Sequence, residues 1–169
     1  MSLVIFTCMV GLLIAPVNVD FTNACISLLA VAIGSGAAGT LNMWYESDLD
    51  ALMSRTCLRP IPTGKVKKDQ ALYFGIILSA LSVSIIYFSA NLISAILVAS
   101  TIAFYFFVYT IWLKRKTPQN IVIGGAAGAL PPVIGWTIAT GNISVEPLIL
   151  FLIIFLWTPS HFWALSLYK

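Results

Sequence analysis

The sequence carries very little charge for its length. Of its 169 residues only 9% are Asp, Glu, Lys or Arg, whereas 60% are hydrophobic and the mean hydropathy is +0.99. Soluble domains carry about 25% charged residues. The composition therefore excludes an ordinary soluble domain and predicts a protein that spans a lipid bilayer.

Cysteine and histidine are also scarce in the sequence. Cys8, Cys25 and Cys57 form no CxxC or Cys/His spacing, and His161 is the only histidine. This predicts cysteines that serve packing, with neither a disulfide nor a thiolate metal site. Because no linker or low-complexity tract interrupts the chain, residues 1–169 are predicted to form one domain.

Long apolar stretches occupy most of the chain. A bilayer core about 30 Å thick needs about 20 apolar residues per helix. Backbone groups in lipid must satisfy their own hydrogen bonds, and the alternation typical of a barrel strand is missing. The predicted fold class is all-α, a polytopic transmembrane helix bundle, with spans at residues 2–16, 23–44, 70–89, 92–112, 119–139 and 147–167.

The basic residues are distributed unevenly between the loops. All nine Lys and Arg residues follow the second, fourth or sixth stretch. The positive-inside rule then places these loops on the cytoplasmic or matrix side of a bacterial or mitochondrial inner membrane. The first stretch lacks a basic n-region and a convincing cleavage site, which favours a membrane helix over a cleaved signal peptide.

Acidic residues gather where the second stretch ends, in "NMWYESDLD", residues 42–50. On a helix that continues past the membrane surface, Asn42, Glu46 and Asp50 share one face at i, i+4 and i+8. Carboxylate and amide oxygens suit Mg²⁺, which binds through one or two carboxylates plus substrate phosphates. Asp48 lies on the opposite side of that helix, where it either faces water or marks a loosened helix. The alternative for the whole group is a solvated helix end.

Cations follow the acids directly. Arg55, Arg59 and the lysines at 65–68 lie within reach of an anion, and arginine binds phosphate oxygens bidentately. Acid and base together favour a metal-bridged phosphate, although basic residues that only fix topology remain the alternative. Lys114 and Arg115 lie on the same side and allow the same two interpretations.

Two stretches combine small residues with other unusual features. The second contains the pairs Gly34/Ala38 and Ser35/Gly39, and the fifth contains Gly124/Gly128, so close helix contacts are expected. The consecutive prolines at 131 and 132 predict a kink or break in the fifth stretch.

Two polar groups lie within apolar stretches. Asn120 opens the fifth stretch, where an amide needs a partner. His161, in the sixth, is interpreted as a heme ligand, a proton relay or a hydrogen-bonding partner of a neighbouring helix.

Three segments together resemble the UbiA-type intramembrane prenyltransferases. "NMWYESDLD", with Glu46 where that family usually has Asp, continues into "MSRTCLRPIPTG" (53–64), and "KRKTPQNIVIGGAAGALPPVIGW" (114–136) and "WTPSHFWALSLYK" (157–169) follow in order. Their form is most similar to the branch of protoheme IX farnesyltransferases, or heme O synthases. The resemblance covers nearly the whole chain.

The resemblance implies a nine-helix bundle and transfer of a farnesyl group from farnesyl diphosphate to the vinyl group of heme B, giving heme O for heme A and terminal oxidase biogenesis. It implies a site whose residues fall into three groups: catalytic Asn42, Glu46, Asp50, Arg55 and Arg59; a metal set for Mg²⁺ of Asn42, Glu46, Asp50 and Asp48; and cofactor-side Lys114, Arg115, Asn120 and His161.

The expected partners are farnesyl diphosphate, heme B and the bilayer, without nucleic acid. Association with heme A synthase or terminal oxidase assembly factors is a further expectation. A quinone-precursor prenyltransferase and, in a different class, a small membrane transporter subunit are the alternative functions.

The family pattern includes a basic extension before the first span, a second aspartate-bearing motif after the sixth span, and three more spans. The sequence shows none of these, so it is expected to be a partial domain, truncated at both ends, with six of nine spans. We therefore expect no turnover of heme B and farnesyl diphosphate by residues 1–169 alone in the presence of Mg²⁺. Formation of farnesylated heme in a reconstituted assay of this chain would contradict that expectation.

Overall fold

The computed structural model describes residues 1–114, 116–117 and 119–167, and within them the regular structure is helical throughout. A π-helical segment, Phe104–Leu113, continues directly from α5 and is called the π segment below. The α-helices are α1 (Ser2–Ile14), α2 (Phe21–Tyr45), α3 (Ser47–Leu52), α4 (Lys68–Ser89), α5 (Leu92–Ala103), α6 (Asn120–Ala129), α7 (Pro131–Thr140) and α8 (Val145–Ser166).

Five helical units are long and apolar enough to cross a bilayer. These are α2, α4, α5 with the π segment, α6 with α7, and α8. They confirm the predicted all-α, polytopic membrane bundle. The remaining expected span, residues 2–16, forms the shorter helix α1 of 13 residues, so a sixth crossing stays a prediction.

The long helices alternate in direction across the bundle. At one end, the hydroxyls of Ser27 in α2 and Ser89 in α4 lie 2.9 Å apart. At the same end the Asn91 side-chain amide donates to the Thr137 carbonyl oxygen at 2.7 Å, tying the start of α5 to the end of α7. The C-terminus of α2, the N-terminus of α4 and the end of the π segment therefore meet at the opposite end.

The predicted break in the fifth stretch occurs at the two prolines. α6 ends at Ala129, and α7 begins with Pro131 and Pro132 in its first turn, where the missing N–H groups cost no helical hydrogen bond. Leu130, which separates the two helices, keeps helical dihedral angles (φ −73°, ψ −28°), so α6 and α7 remain nearly continuous. All residues of α7 from 131 to 138 are buried.

The glycines expected to allow close contacts divide into two groups. A Cβ atom at Gly34 would lie 2.6 Å from the Ser82 hydroxyl of α4, and one at Gly124 would lie 2.3 Å from the Tyr109 ring. By contrast, Gly39 and Gly128 have no atom within 4 Å of an added Cβ and line a cavity of about 330 Å³. The same helices therefore pack tightly on one side and leave internal space on the other.

Helix α1 packs against α7 so closely that their backbones are in contact at two glycines. A Cβ atom at Gly135 would lie 1.9 Å from the Cys8 carbonyl oxygen, and one at Gly11 would lie 2.1 Å from the Pro132 carbonyl oxygen. These partners are backbone atoms, which cannot move aside as a flexible side chain does.

Replacement of Gly135 tests this contact directly, because an added Cβ would collide with backbone atoms of α1. We expect Gly135→Ala to destabilise the protein by about 1–3 kcal/mol or more, because overpacking against backbone forces the helices apart. Gly128→Ala is the matched control, since its Cβ points into open space. Thermal unfolding in detergent is the measurement, and equal midpoints for the two variants would contradict the described α1–α7 contact.

Candidate active site

The acidic residues lie where α2 gives way to α3. Glu46 forms a one-residue turn between the two helices, with φ −97° and ψ 10°. The expected single continuous helix is therefore interrupted, but the backbone N–H of Glu46 still bonds the Asn42 carbonyl oxygen at 3.0 Å. The N–H of Asp50 likewise bonds the Glu46 carbonyl oxygen at 2.8 Å. The spacing of four residues is preserved across the turn.

Asn42, Glu46 and Asp50 form a buried polar row, called the acidic ladder below. Their exposed fractions are 8%, 3% and 4%. Asp48 is exposed instead, on a different side of α3, which agrees with its predicted position away from Glu46. The alternative of a solvated helix end is wrong for these three residues, because a solvated cap would leave them open to water.

Glu46 is paired with a cation from another helix. Lys114, at the end of the π segment, donates from Nζ to Glu46 Oε2. The other carboxylate oxygen, Oε1, is buried without a hydrogen-bond partner. Buried polar atoms are nearly always satisfied, so Oε1 is a candidate point of contact for a cationic ligand.

Asp50 is paired with a cation from the loop that follows α3. Arg59 Nη1 lies 2.8 Å from Asp50 Oδ2, and the Thr56 hydroxyl donates to the Asp50 backbone carbonyl oxygen at 3.0 Å. Thr56 is itself buried, so it holds the loop against the acidic ladder. Arg55 is exposed and lies at the edge of this arrangement.

Asn42 bonds a threonine that the sequence analysis did not single out. Its side-chain amide donates to the buried hydroxyl of Thr110 at 3.2 Å, and that hydroxyl donates to the Tyr105 carbonyl oxygen at 2.9 Å. Both Thr110 and Tyr105 belong to the π segment, and π-helical turns are frequent at functional sites. A threonine in an apolar run was the only indication in the sequence.

The cavity of about 330 Å³ lies within the bundle, and one residue of its lining, Tyr105, is connected to the acidic ladder through Thr110. Its walls are almost entirely apolar and come from α1, α2, α5, the π segment, α6 and α7. Tyr105 lines it, and its ring is tilted against the Tyr109 ring at 5.0 Å between the centroids. None of the three ladder residues lines the cavity, and the hydrogen bonds from Asn42 through Thr110 to Tyr105 connect the two.

The remaining predicted site residues are not joined to the acidic ladder by the contacts that the structure describes. Asn120 begins α6 and is half-buried, and its backbone N–H bonds the Thr117 carbonyl oxygen at 3.3 Å. His161 is exposed on α8 and stacks on the Trp157 ring at 4.4 Å. Arg115 lies outside the described residues.

The donor set of the acidic ladder fits a hard cation. In the described part of the chain, no group of three or more His, Cys, Asp or Glu side chains is close enough to hold a metal. The two carboxylates, of which that of Glu46 has an unpaired buried oxygen, and the amide of Asn42 nevertheless match Mg²⁺, which binds through one or two carboxylates and completes its shell with water and phosphate.

The fold and the site define the class of protein. It is a polytopic helical membrane protein with buried, cation-paired carboxylates and an apolar cavity. Comparison with protein families matches residues 4–169 to the UbiA prenyltransferase family. The chain belongs to that family. Membership confirms the resemblance found in the sequence and counts against a transporter subunit.

Proteins with high identity to the chain carry a single activity in their names. A protoheme IX farnesyltransferase of Pelagibacter ubique (strain HTCC1062) is 73% identical over 169 residues, all of this chain and 56% of that protein. One of Ehrlichia ruminantium (strain Gardel) is 62% identical over 167 residues, 99% of this chain and 57% of that protein. Protoheme IX farnesyltransferase 2 of Mesorhizobium japonicum (strain LMG 29417 / CECT 9101 / MAFF 303099) is 60% identical over 169 residues, all of this chain and 54% of that protein.

The chain thus spans just over half the length of these relatives. Comparison with solved structures finds no match. The relatives' names agree with the heme-modifying branch suggested by the three sequence segments and not with the quinone-precursor alternative.

The Asp50–Arg59 pair leads to a stability prediction. We expect Arg59→Met to destabilise the protein by about 2 kcal/mol, because it leaves a buried carboxylate without its partner. Arg55→Met removes the same charge from an exposed position and is expected to change little. Thermal unfolding in detergent measures both, and Arg59→Met combined with Asp50→Asn should recover part of the loss. Equal effects of the two single variants would contradict the pairing.

Proposed function

We propose that this chain carries the diphosphate-binding part of a Mg²⁺-dependent farnesyltransferase. The enzyme transfers the farnesyl group of farnesyl diphosphate to the vinyl group of protoheme IX, heme B. Diphosphate leaves, and water then adds to the resulting cation and loses a proton, which completes the hydroxyethylfarnesyl group of heme O. Family membership and the relatives' names support the reaction. The observation that carries the site is the buried Glu46 carboxylate, which has one oxygen on Lys114 and the other unpaired.

The acidic ladder holds the metal in this proposal. Glu46 and Asp50 supply carboxylate oxygens and Asn42 an amide oxygen, each from the same side of the α2–α3 junction. Bound Mg²⁺ would neutralise charge on the diphosphate as it departs. Asp48, exposed on another side, contributes at most to the electrostatic surroundings.

The cations beside the ladder bind the diphosphate. Arg59 and Lys114 already lie at the two carboxylates, so both are within reach of an anion bridged to the same metal. Arginine forms forked hydrogen bonds to phosphate oxygens, and a lysine ammonium acts as a mobile point charge. Arg55 and Arg115 are proposed to extend this positive surface on the side of the basic loops.

The apolar cavity receives the farnesyl chain. Its lining includes Gly39 and Gly128, whose missing side chains keep the space open, and Tyr105 at the side of the ladder. Ionisation of the allylic C–O bond creates a carbocation that water would quench. Apolar walls exclude water from that carbon until the vinyl group arrives.

The heme contact is proposed at His161, with Asn120 on the adjoining part of the bundle. His161 is exposed and stacked on Trp157, so a flat ring system can reach it from outside α8. The basic segments are proposed to face the cytoplasm of a bacterium or the mitochondrial matrix, which places the diphosphate on that side of the inner membrane.

Ligand binding tests the proposed site without requiring turnover. We expect Glu46→Gln and Asp50→Asn each to weaken Mg²⁺-dependent binding of farnesyl diphosphate at least about tenfold, because a charged metal ligand is lost. Asp69→Asn is the control, since Asp69 is an exposed carboxylate in the first turn of α4 at the same end of the bundle.

Isothermal titration of the chain in detergent micelles, with and without Mg²⁺, is the measurement. Unchanged affinity in Glu46→Gln and Asp50→Asn, or an equal loss in Asp69→Asn, would remove the acidic ladder from the proposed site.

A further inference from the structure

We propose that Lys114 acts as a placeholder, which means that it pairs with Glu46 until a metal ion takes its place. Because the displaced ammonium group can then bind the diphosphate, the binding of metal and the binding of diphosphate depend on each other. The inference rests on the proposed function of the acidic ladder and goes beyond it. It assigns Lys114 a role before any ligand arrives, as the cation with which the metal must compete.

The first support is the difference in burial between the two partners. The side chain of Glu46 is 4% exposed, whereas that of Lys114 is 33% exposed. A buried carboxylate needs a cation close by, because an unpaired buried charge is strongly unfavourable. Glu46 therefore cannot leave its pocket for water, but Lys114 can leave Glu46 if another cation replaces it.

The second support is that only one of the two Glu46 carboxylate oxygens has a hydrogen-bond partner. Lys114 holds Oε2 while Oε1 is buried without a partner. A divalent ion that entered this site would find a free acceptor in Oε1 while Lys114 still holds Oε2. Full coordination then brings a dication and an ammonium group to one carboxylate, where they repel each other.

The third support is that Lys114 already has a second, weaker partner, which it can keep when a metal takes its place on Glu46. Its Nζ lies 5.7 Å from the centroid of the Tyr109 ring, close enough for a cation–π contact. That contact is weaker than an ion pair, so the metal alone binds against resistance. A diphosphate bridged to the metal offers Nζ new oxygen acceptors and removes the resistance.

Asp50 does not share this arrangement. Its partner Arg59 comes from a loop only nine residues along the chain, whereas Lys114 is 68 residues from Glu46 and joins two separate helices. Arg59 therefore pairs with Asp50 without joining two membrane-spanning helices. The competition is therefore assigned to the Lys114–Glu46 pair.

The test measures metal affinity by Mn²⁺ electron paramagnetic resonance, with inorganic pyrophosphate as the anion and Mn²⁺ in place of Mg²⁺. The chain is titrated in detergent micelles at about pH 8, above the ordinary range of carboxyl groups. In the wild-type chain we expect pyrophosphate to raise Mn²⁺ affinity about tenfold, within the usual range of coupling between sites, and Mn²⁺ to raise pyrophosphate affinity by the same factor.

Lys114→Met removes the competing charge and keeps an unbranched side chain. We expect it to raise the affinity for Mn²⁺ alone about tenfold and to reduce the coupling to pyrophosphate toward onefold. A lysine with a merely structural role would not tighten metal binding when removed. Lys116→Met, an exposed lysine two residues along, is the control and is expected to keep the wild-type values.

The outcomes separate this inference from the function on which it rests. If Mn²⁺ binding depends on Glu46 but Lys114→Met leaves it unchanged or weaker, the placeholder role is wrong and the proposed metal site stands. If Glu46→Gln binds Mn²⁺ as well as the wild type does, both are wrong. Should Lys114→Met fail to fold, an absence of coupling in the wild-type chain overturns the inference by itself.

Discussion

The structure depends on the need of two buried carboxylates for cations. Glu46 and Asp50 are 3% and 4% exposed, and each is paired with a cation, because an unpaired buried charge is strongly unfavourable. One partner comes from the end of the π segment and the other from the loop after α3. This requirement brings the C-terminal end of α2, the basic loop and the π segment together at one end of the bundle.

Packing away from the ladder is arranged so that an internal space remains. α1 meets α7 through Gly11 and Gly135 at backbone contact, and α2 meets α4 at Gly34. In a membrane, where burial of apolar surface does not drive helices together, such close approach supplies much of the attraction between them. The glycines at 39 and 128 have the opposite effect, since they line the cavity without touching another helix. The bundle thus packs closely around a cavity that is connected to the charged site through Tyr105 and Thr110.

Much of this arrangement follows from local sequence, and the rest does not. The positions of Asn42, Glu46 and Asp50 were predictable because helical hydrogen bonds persist across the Glu46 turn and keep the four-residue spacing. The break at Pro131 and Pro132 follows from their missing N–H groups. The π segment was not predictable, since its five-residue hydrogen bonds leave no periodicity in a run that is apolar throughout. For the same reason an apolar α8 gave no indication that His161 would lie exposed.

The pairing of α2 with the π segment explains why these residues meet. Asn42 bonds Thr110 and Glu46 bonds Lys114, and each pair is 68 positions apart in the chain. Both segments run toward the same end of the bundle. The four residues from Asn42 to Glu46 along α2 therefore match the four residues from Thr110 to Lys114 along the other segment. The π segment ends at Leu113, directly before Lys114. Asp50, one step beyond Glu46, therefore takes its cation from Arg59 in the loop. Lys114 and Arg59 therefore come from different parts of the chain because the π segment ends before it could supply a partner for Asp50.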